Sequence, residues 1–86
     1  MIDAEFRSEE MFVRLSLAYE SDAEKESVRN CVESIVAKHT LKPEMYTTKV
    51  SNGKEVLVIE YHDDSSREAG GIFEEMIKSL DITVCN

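Results

Sequence analysis

The sequence predicts an α+β domain in which an antiparallel sheet of three strands is covered on one face by two helices. Met11–Glu20 and Glu55–His62 have the composition of strands, and a helical stripe of apolar residues follows each of them. The predicted order is β-α-β-β-α, and right-handed crossovers then bring both helices to the same face, as in ferredoxin-like or split β-α-β folds. A length of 86 residues suits one domain, so we expect residues 1–86 to form a single folded unit.

The first predicted strand follows a segment that we interpret as a polar lead-in. Residues 1–10 contain four acids and no apolar run. Met11–Glu20 then alternates, with Val13, Leu15, Leu17 and Tyr19 on one face. In the usual strand order of this fold the first and third strands are central, the second is an edge, and a fourth strand covers the first.

Helix one is predicted to begin after a capping box. Ser21 is followed three residues later by Glu24, and the acids of this segment suit the positive end of a helix dipole. The helix should end near His39, because Pro43 disfavours helical backbone at the residue before it. The apolar stripe comprises Val28, Cys31, Val32, Ile35 and Val36.

A hairpin is predicted to join strands two and three. Met45–Ser51 is the weaker strand, and the sequence Ser51-Asn52-Gly53-Lys54 is typical of a two-residue turn between antiparallel neighbours. Glu55–His62 is the most β-prone stretch of the chain, so we expect it to be central and covered on both faces.

Helix two is predicted to begin at a second capping box, Ser65 with Glu68. Its apolar stripe comprises Ala69, Ile72, Phe73, Met76, Ile77 and Leu80. Asp81–Asn86 has the β-branched residues of a short strand but the terminal position of a frayed end, and both interpretations stay open. If this segment is too short to cover the first strand, that strand keeps an open edge, which proteins either block or use for assembly.

Charge and cysteine usage narrow the classes of partner. A net charge of −8 disfavours non-specific attraction to a phosphate backbone, so we do not expect the chain to bind nucleic acid by itself. The spread-out acids fit either a solvated surface or a surface offered to a basic partner. Cys31 and Cys85 fit neither a metal pattern nor a disulfide framework, which indicates a reducing compartment, cytoplasmic or nuclear. No signal peptide is recognised, and the longest apolar run, Val56–Ile59, is too short for a membrane span.

No pattern of catalytic residues stands out. A metal site formed by His62, Asp63 and Asp64 is conceivable, but helix capping by the two aspartates is favoured over it. Cys31 lies on an apolar stripe, as an inert core thiol does. We therefore expect no catalytic, cofactor-binding or metal-binding residues.

Gly70 and Gly71 interrupt the pattern of helix two. Each glycine in a helix interior destabilises the helix by about 1 kcal/mol relative to alanine. Two explanations are open: close packing of this helix within the domain, or a smooth surface on which a partner helix approaches closely.

The second half of the chain resembles the Pcc family, the small dimerisation subunit of the KEOPS (also called EKC) complex. The resemblance is strongest over Leu41–Ile82. It rests on Leu41-Lys42-Pro43-Glu44 ahead of a strand, on a hairpin that ends in the apolar strand VLVIEY, and on a helix that opens with Arg67 and closes with Ile77-Lys78-Ser79-Leu80. The family usually has two arginines near the start of the second helix, whereas Arg67 stands alone here.

The resemblance implies a non-catalytic subunit. In that complex a Kae-type ATPase-fold subunit transfers threonylcarbamoyl to the adenosine beside the anticodon of certain tRNAs, and Pcc-type subunits bind it through their two helices and pair through their sheets. The chain would then form a homodimer or a heterodimer with another small subunit, meet tRNA only through the complex, and need no membrane. The implied partner-binding residues are Val28, Ile35, Arg67, Gly70, Gly71 and Glu74. The implied dimer edge on the first strand comprises Phe12, Arg14, Ser16 and Ala18.

Arg67 has two open interpretations: contact with tRNA or a partner carboxylate, or a surface pair with Glu68 or Asp64. The alternative to the scaffold function as a whole is a stand-alone ferredoxin-like RNA-binding or ligand-sensing domain. Phe12 and Tyr61 are available for base stacking, but acids outnumber bases on the predicted strands.

Overall fold

The computed structural model describes residues 2–49, 53–62, 66–82 and 84–85, without the side chains of residues 66, 67, 84 and 85. The elements in chain order are β1 Asp3–Ser8, β2 Phe12–Tyr19, α1 Asp22–Lys38, β3 Glu44–Lys49, β4 Glu55–His62, α2 Ser66–Leu80 and β5 Val84–Cys85. The strands form one sheet in the order β3-β4-β2-β1-β5. All neighbours are antiparallel except β1 and β5, which are parallel. The predicted α+β class with two helices and a largely antiparallel sheet is therefore confirmed, but the prediction of three strands is wrong, because β1 and β5 extend the sheet.

β1 lies within the segment that the sequence analysis treats as a polar lead-in, so that interpretation is wrong. The strand alternates in burial: Ala4 is buried and Phe6 half-buried, whereas Asp3, Glu5 and Arg7 are exposed. Side chains of alternate strand residues point to opposite faces, so the charged residues of β1 lie in solvent while the apolar ones reach the core. The acids therefore do not prevent the segment from forming a strand.

β2 is an interior strand, which contradicts the predicted open edge. Leu15 lies opposite Phe6 of β1 on one side and opposite Ile59 of β4 on the other. The proposed dimer-edge residues on this strand, which are Phe12, Arg14, Ser16 and Ala18, are half-buried, and the strand is paired on both sides. The physical reason is that β1 pairs with the side of β2 that a three-stranded sheet would leave open.

α1 confirms the predicted helix and refines its N-terminal cap. Ser21 is the N-cap, and its Oγ accepts a hydrogen bond from the Glu24 backbone N–H at 3.2 Å. The Glu24 carboxylate accepts the backbone N–H of Glu20 at 2.9 Å, one residue earlier than in the usual capping box. The helix ends where predicted, with His39 as its C-cap.

β3 and β4 confirm the predicted antiparallel hairpin. Residues 50–52 of its turn lie outside the described residues, but Gly53 has a φ of +86°, a conformation that suits glycine. β2 and β3 both run antiparallel to β4, which lies between them, so they are parallel to each other. The predicted central position of β4 is therefore confirmed.

α2 ends in a Schellman motif. The Asp81 N–H donates to the Lys78 carbonyl at 3.2 Å and the Ile82 N–H donates to the Ile77 carbonyl at 3.3 Å, with Asp81 in the left-handed region at φ 54°. This turn precedes β5, in which Val84 pairs with Ala4 and Cys85 with Glu5. The C-terminal segment thus contains a short strand, but it covers part of β1 and not β2. Ser65, which was predicted to cap α2, lies outside the described residues.

Both helices pack on one face of the sheet. The ring of Phe73 in α2 lies 6.0 Å from the ring of Phe6 and 5.5 Å from that of Tyr61. Val28 and Val32 of α1 belong to the same buried cluster as the odd-numbered residues of β2. The opposite face of the sheet carries no helix of the described residues, and we call it the helix-free face.

Candidate functional site

The outer face of α2 carries the glycine pair. Gly70 is half-buried, and Gly71 and Glu74 are exposed. A Cβ built at either glycine would meet no neighbouring atom within 4 Å. Close packing within the described part of the domain therefore does not explain these two glycines.

On α1 the two predicted partner-binding residues are core residues instead. Val28 is fully buried and Ile35 is 5% exposed, and both belong to the hydrophobic core. The prediction that they face a partner is wrong, because an apolar stripe on a helix covering a sheet turns toward that sheet. The exposed positions of α1 include the small polar residues Ser27, Asn30 and Ser34. Their small size is the only feature of the sequence that would identify them as candidates for contact with a partner.

The two helices are joined directly at one end. Glu75 of α2 accepts a hydrogen bond from Lys38, and its other carboxylate oxygen lies 3.3 Å from His39 Nε2. The hydrogen bond from Lys38, with that from His39, holds the pKa of Glu75 below its usual range. Deeper between the helices, Cys31 Sγ lies 3.8 Å from the Met76 carbonyl oxygen. These contacts link α1 to α2 within the helix layer.

Arg67 belongs to α2 by its backbone, but its side chain lies outside the described residues. The two interpretations of this arginine both remain predictions.

A polar cluster lies on the helix-free face, and we call it the Glu60 cluster. Glu60 Oε2 accepts hydrogen bonds from Arg14 Nε at 2.6 Å and from the Tyr46 hydroxyl at 3.1 Å. His62 Nε2 lies 3.4 Å from Glu60 Oε1 and 3.5 Å from Glu44 Oε2. The cluster thus joins the side chains of β2, β3 and β4.

Glu60 is buried, at 7% exposed, yet its surroundings favour the ionised carboxylate. Burial opposes ionisation, but the hydrogen bonds from Arg14 and Tyr46 outweigh it and lower the pKa of Glu60. The cluster can therefore hold charge, and it offers two carboxylates and one imidazole that could bind a cation.

The metal site considered from the sequence combines His62 with Asp63 and Asp64. Both aspartates lie outside the described residues, while the structure brings His62 to Glu44 and Glu60. Glu60 is recognisable as a neighbour because residues two apart on a strand share a face. Glu44 is recognisable only once the hairpin register is known, which pairs it with Glu60.

A groove of about 340 Å³ lies between α1 and the hairpin, with Lys25, Arg29, Met45 and Leu57 among its lining residues. Lys25 Nζ lies 3.3 Å from Glu55 Oε2 at the groove's side. Glu55 also accepts a hydrogen bond from the Tyr19 hydroxyl, and burial together with this hydrogen bond raises the pKa of Tyr19 to about 12. All residues of β3 are exposed, so the hairpin side of the groove is open to solvent.

Comparison with known proteins identifies no relative. No family model matches the chain, and neither does any curated protein or solved structure. Within the described part of the chain, neither helix has the length and apolar character needed to cross a membrane.

Proposed function

We propose that the chain is a non-catalytic scaffold and dimerisation subunit of a KEOPS-type complex, supporting the subunit that modifies tRNA with threonylcarbamoyladenosine. The observation that carries the proposal is the glycine pair on the outer face of α2. Gly70 and Gly71 weaken the helix, and no described atom of the chain lies where their side chains would be. A partner helix that approaches this face closely would make use of both glycines.

The partner that we propose, on the family resemblance over Leu41–Ile82, is a Kae-type ATPase-fold subunit. On this proposal the domain is ferredoxin-like in its β2-α1-β3-β4-α2 part, with β1 and β5 as additions to the sheet. The net charge of −8 then fits contact with tRNA through more basic partners only. The proposed compartment is the reducing cytoplasm or nucleus.

Dimerisation on this proposal uses an edge other than β2. β3 pairs with β4 alone among the described strands, and all six of its residues are exposed. An exposed strand edge is a template for pairing with another chain. The partner in a dimer is a second copy or another small subunit.

Co-purification tests the proposal. A tagged full-length chain should retrieve a Kae-type ATPase-fold protein from cells, and a Gly71→Leu variant should retrieve much less of it while keeping its circular dichroism spectrum. Glu10→Leu is the control, because it adds a leucine at an exposed position in the turn between β1 and β2, outside both helices and β3. Failure to retrieve such a protein, or equal retrieval by Gly71→Leu, would contradict the proposal.

Light scattering tests the dimer separately. The expected mass is about twice 9.8 kDa, and a monomer that persists at all concentrations would count against pairing of identical copies. Co-purification of a different small subunit would then indicate the heterodimer.

The second candidate function is a stand-alone RNA-binding domain, and one observation favours it. The helix-free face carries Tyr46, which is 45% exposed, and Arg14, whose guanidinium carbon lies 4.7 Å from the ring centre of Phe12. Aromatic and arginine side chains on an open sheet face are used to stack RNA bases. Arg14 is however paired with Glu60, so this candidate requires salt-sensitive RNA binding by the isolated chain, measurable by fluorescence anisotropy.

A further inference from the structure

The register of the β3–β4 hairpin brings two carboxylates together on the helix-free face. Glu44 lies directly opposite Glu60 on the neighbouring strand. Like charges in directly opposite positions destabilise a strand pair. Arg14 offsets the charge of Glu60, and a cation held between the two carboxylates would compensate the charge of Glu44 as well.

The third member of the group is His62, two residues after Glu60 and therefore on the same face. Its Nε2 lies 3.4 Å from Glu60 Oε1 and 3.5 Å from Glu44 Oε2. All three potential ligand atoms lie within 4.8 Å of one another. The imidazole thus faces both carboxylates with the same nitrogen.

The two separations between His62 Nε2 and the carboxylate oxygens are longer than a typical hydrogen bond. A hydrogen bond between nitrogen and oxygen has a typical length of about 2.9 Å. Zinc binds histidine nitrogen and carboxylate oxygen at about 2.0–2.2 Å with tetrahedral geometry, and the ligand atoms of such a tetrahedron are about 3.3–3.6 Å apart. The two separations from His62 fall within that range.

The buried member of the group is already oriented. Arg14 and Tyr46 both donate to Glu60 Oε2, at 2.6 and 3.1 Å, and so turn the other oxygen toward His62. Metal-binding carboxylates are typically fixed in this way by hydrogen bonds from surrounding side chains. The side chains of Glu44 and His62 are 74% and 45% exposed, so an ion can enter from solvent.

We propose that Glu44, Glu60 and His62 bind one Zn²⁺ ion, with water as the fourth ligand. Because Glu44 lies on β3 and the other two ligands on β4, the ion joins the edge strand to the interior of the sheet. Imidazole and carboxylate ligands suit zinc, and a site with three protein ligands and one water has an open coordination position.

Isothermal titration calorimetry of the full chain with a zinc salt at neutral pH tests the proposal. We expect binding of one ion, and we expect His62→Ala and Glu44→Gln each to weaken it at least about tenfold. Glu44 is mostly exposed, so its variant tests the site without disturbing the core. His39→Ala is the matched control, because His39 Nε2 also lies near a carboxylate, 3.3 Å from Glu75 Oε1, but near no second carboxylate among the described residues.

Absence of binding would overturn the proposal, and so would an affinity that neither His62→Ala nor Glu44→Gln lowers. A loss of affinity in His39→Ala in place of His62→Ala would also overturn it. Nuclear magnetic resonance gives a readout of the ligand itself: zinc should shift the imidazole signals of His62 and leave those of His39 in place. If His62→Ala does not fold, Glu44→Gln and these imidazole signals still decide the outcome.

Discussion

Replacement of Gly70 and Gly71 by alanine should make the domain more stable. A Cβ at either position meets no neighbouring atom within 4 Å, so the substitution adds no clash. Alanine is favoured over glycine in a helix interior by about 1 kcal/mol. The double variant should therefore gain about 2 kcal/mol of unfolding free energy. For a domain of this size about 1 kcal/mol shifts the melting temperature by about 4–8 °C.

Urea unfolding followed by circular dichroism measures this gain. The midpoint should rise while the slope with denaturant stays the same, because the surface exposed on unfolding hardly changes. Gly53→Ala is the control with the opposite sign. Its Cβ also meets nothing within 4 Å, but its φ of +86° makes any side chain unfavourable, so it should lose about 1 kcal/mol.

Destabilisation by either helical alanine would refute the reasoning, since it would mean that the outer face of α2 packs within the chain. The same double variant also bears on the scaffold proposal. If a partner helix approaches the glycine pair closely, the variant should be more stable by itself and yet retrieve less partner. If the variant is more stable but retrieves as much partner as the wild type, alanine stabilises the helix as argued, and the proposed close approach of a partner helix at the glycines is contradicted.

Three further substitutions test other parts of the fold. Tyr61→Phe should raise the unfolding free energy by about 1 kcal/mol, because the Tyr61 hydroxyl is buried without a hydrogen-bond partner among the described residues; a loss on urea unfolding would mean that it has one. Asp81→Gly should add about 1 kcal/mol by relieving a non-glycine residue at φ 54°, and an unchanged melting temperature would contradict this. Tyr19 has a folded pKa of about 12, above its unfolded value of about 10, so its contribution is complete below pH 10 and is lost as the pH rises through 12. The stability advantage of the wild type over Tyr19→Phe should accordingly fall by about 2 kcal/mol between pH 10 and 12, and a constant difference in melting temperature would refute this.

The periodic elements could be predicted from the sequence because their burial is decided locally. In β2 every second residue is buried, and in α2 the residues Ala69, Ile72, Phe73 and Met76 form the buried stripe at helical spacing. Each pattern repeats over eight or more residues, so single exceptions do not hide it. The capping residue Ser21 is equally local, since its hydrogen bond reaches only three residues along the chain.

β1 was missed because its alternation is short and its charges are conspicuous. Within Asp3–Ser8 the inward positions are only Ala4 and Phe6, and the acids between them are typical of a solvated terminus. The strand becomes favourable through its partner, because pairing with β2 places Phe6 opposite Leu15 over the core. This stabilisation comes from tertiary contacts, so it cannot be recognised from the residues of the segment alone.

The candidate site residues likewise divide into those that local sequence determines and those that tertiary structure determines. Val28 and Ile35 are predicted to face a partner, but their spacing turns them toward the sheet, where they are buried. Gly70 and Gly71 were recognised because glycine is unfavourable inside any helix, whatever surrounds it. The pairing of Glu44 with Glu60 depends on strand register, which the turn residues and the hydrophobic pattern set jointly.

The scaffold proposal depends on two separate surfaces, the outer face of α2 for the partner helix and the edge of β3 for the dimer. The outer face of α2 lies in the helix layer, and the free edge of β3 lies at one side of the sheet beyond the helices. Occupation of one surface does not require the other, so a bound partner helix and a paired strand are compatible in one molecule. The zinc proposal concerns the second surface alone, because Glu44 belongs to β3 and the ion would hold that strand to β4. If the chain binds zinc but retrieves no partner, the metal-site proposal is supported and the scaffold proposal is contradicted. If it retrieves a partner but binds no zinc, the scaffold proposal is supported, and pairing at the β3 edge would then rest on backbone hydrogen bonds alone.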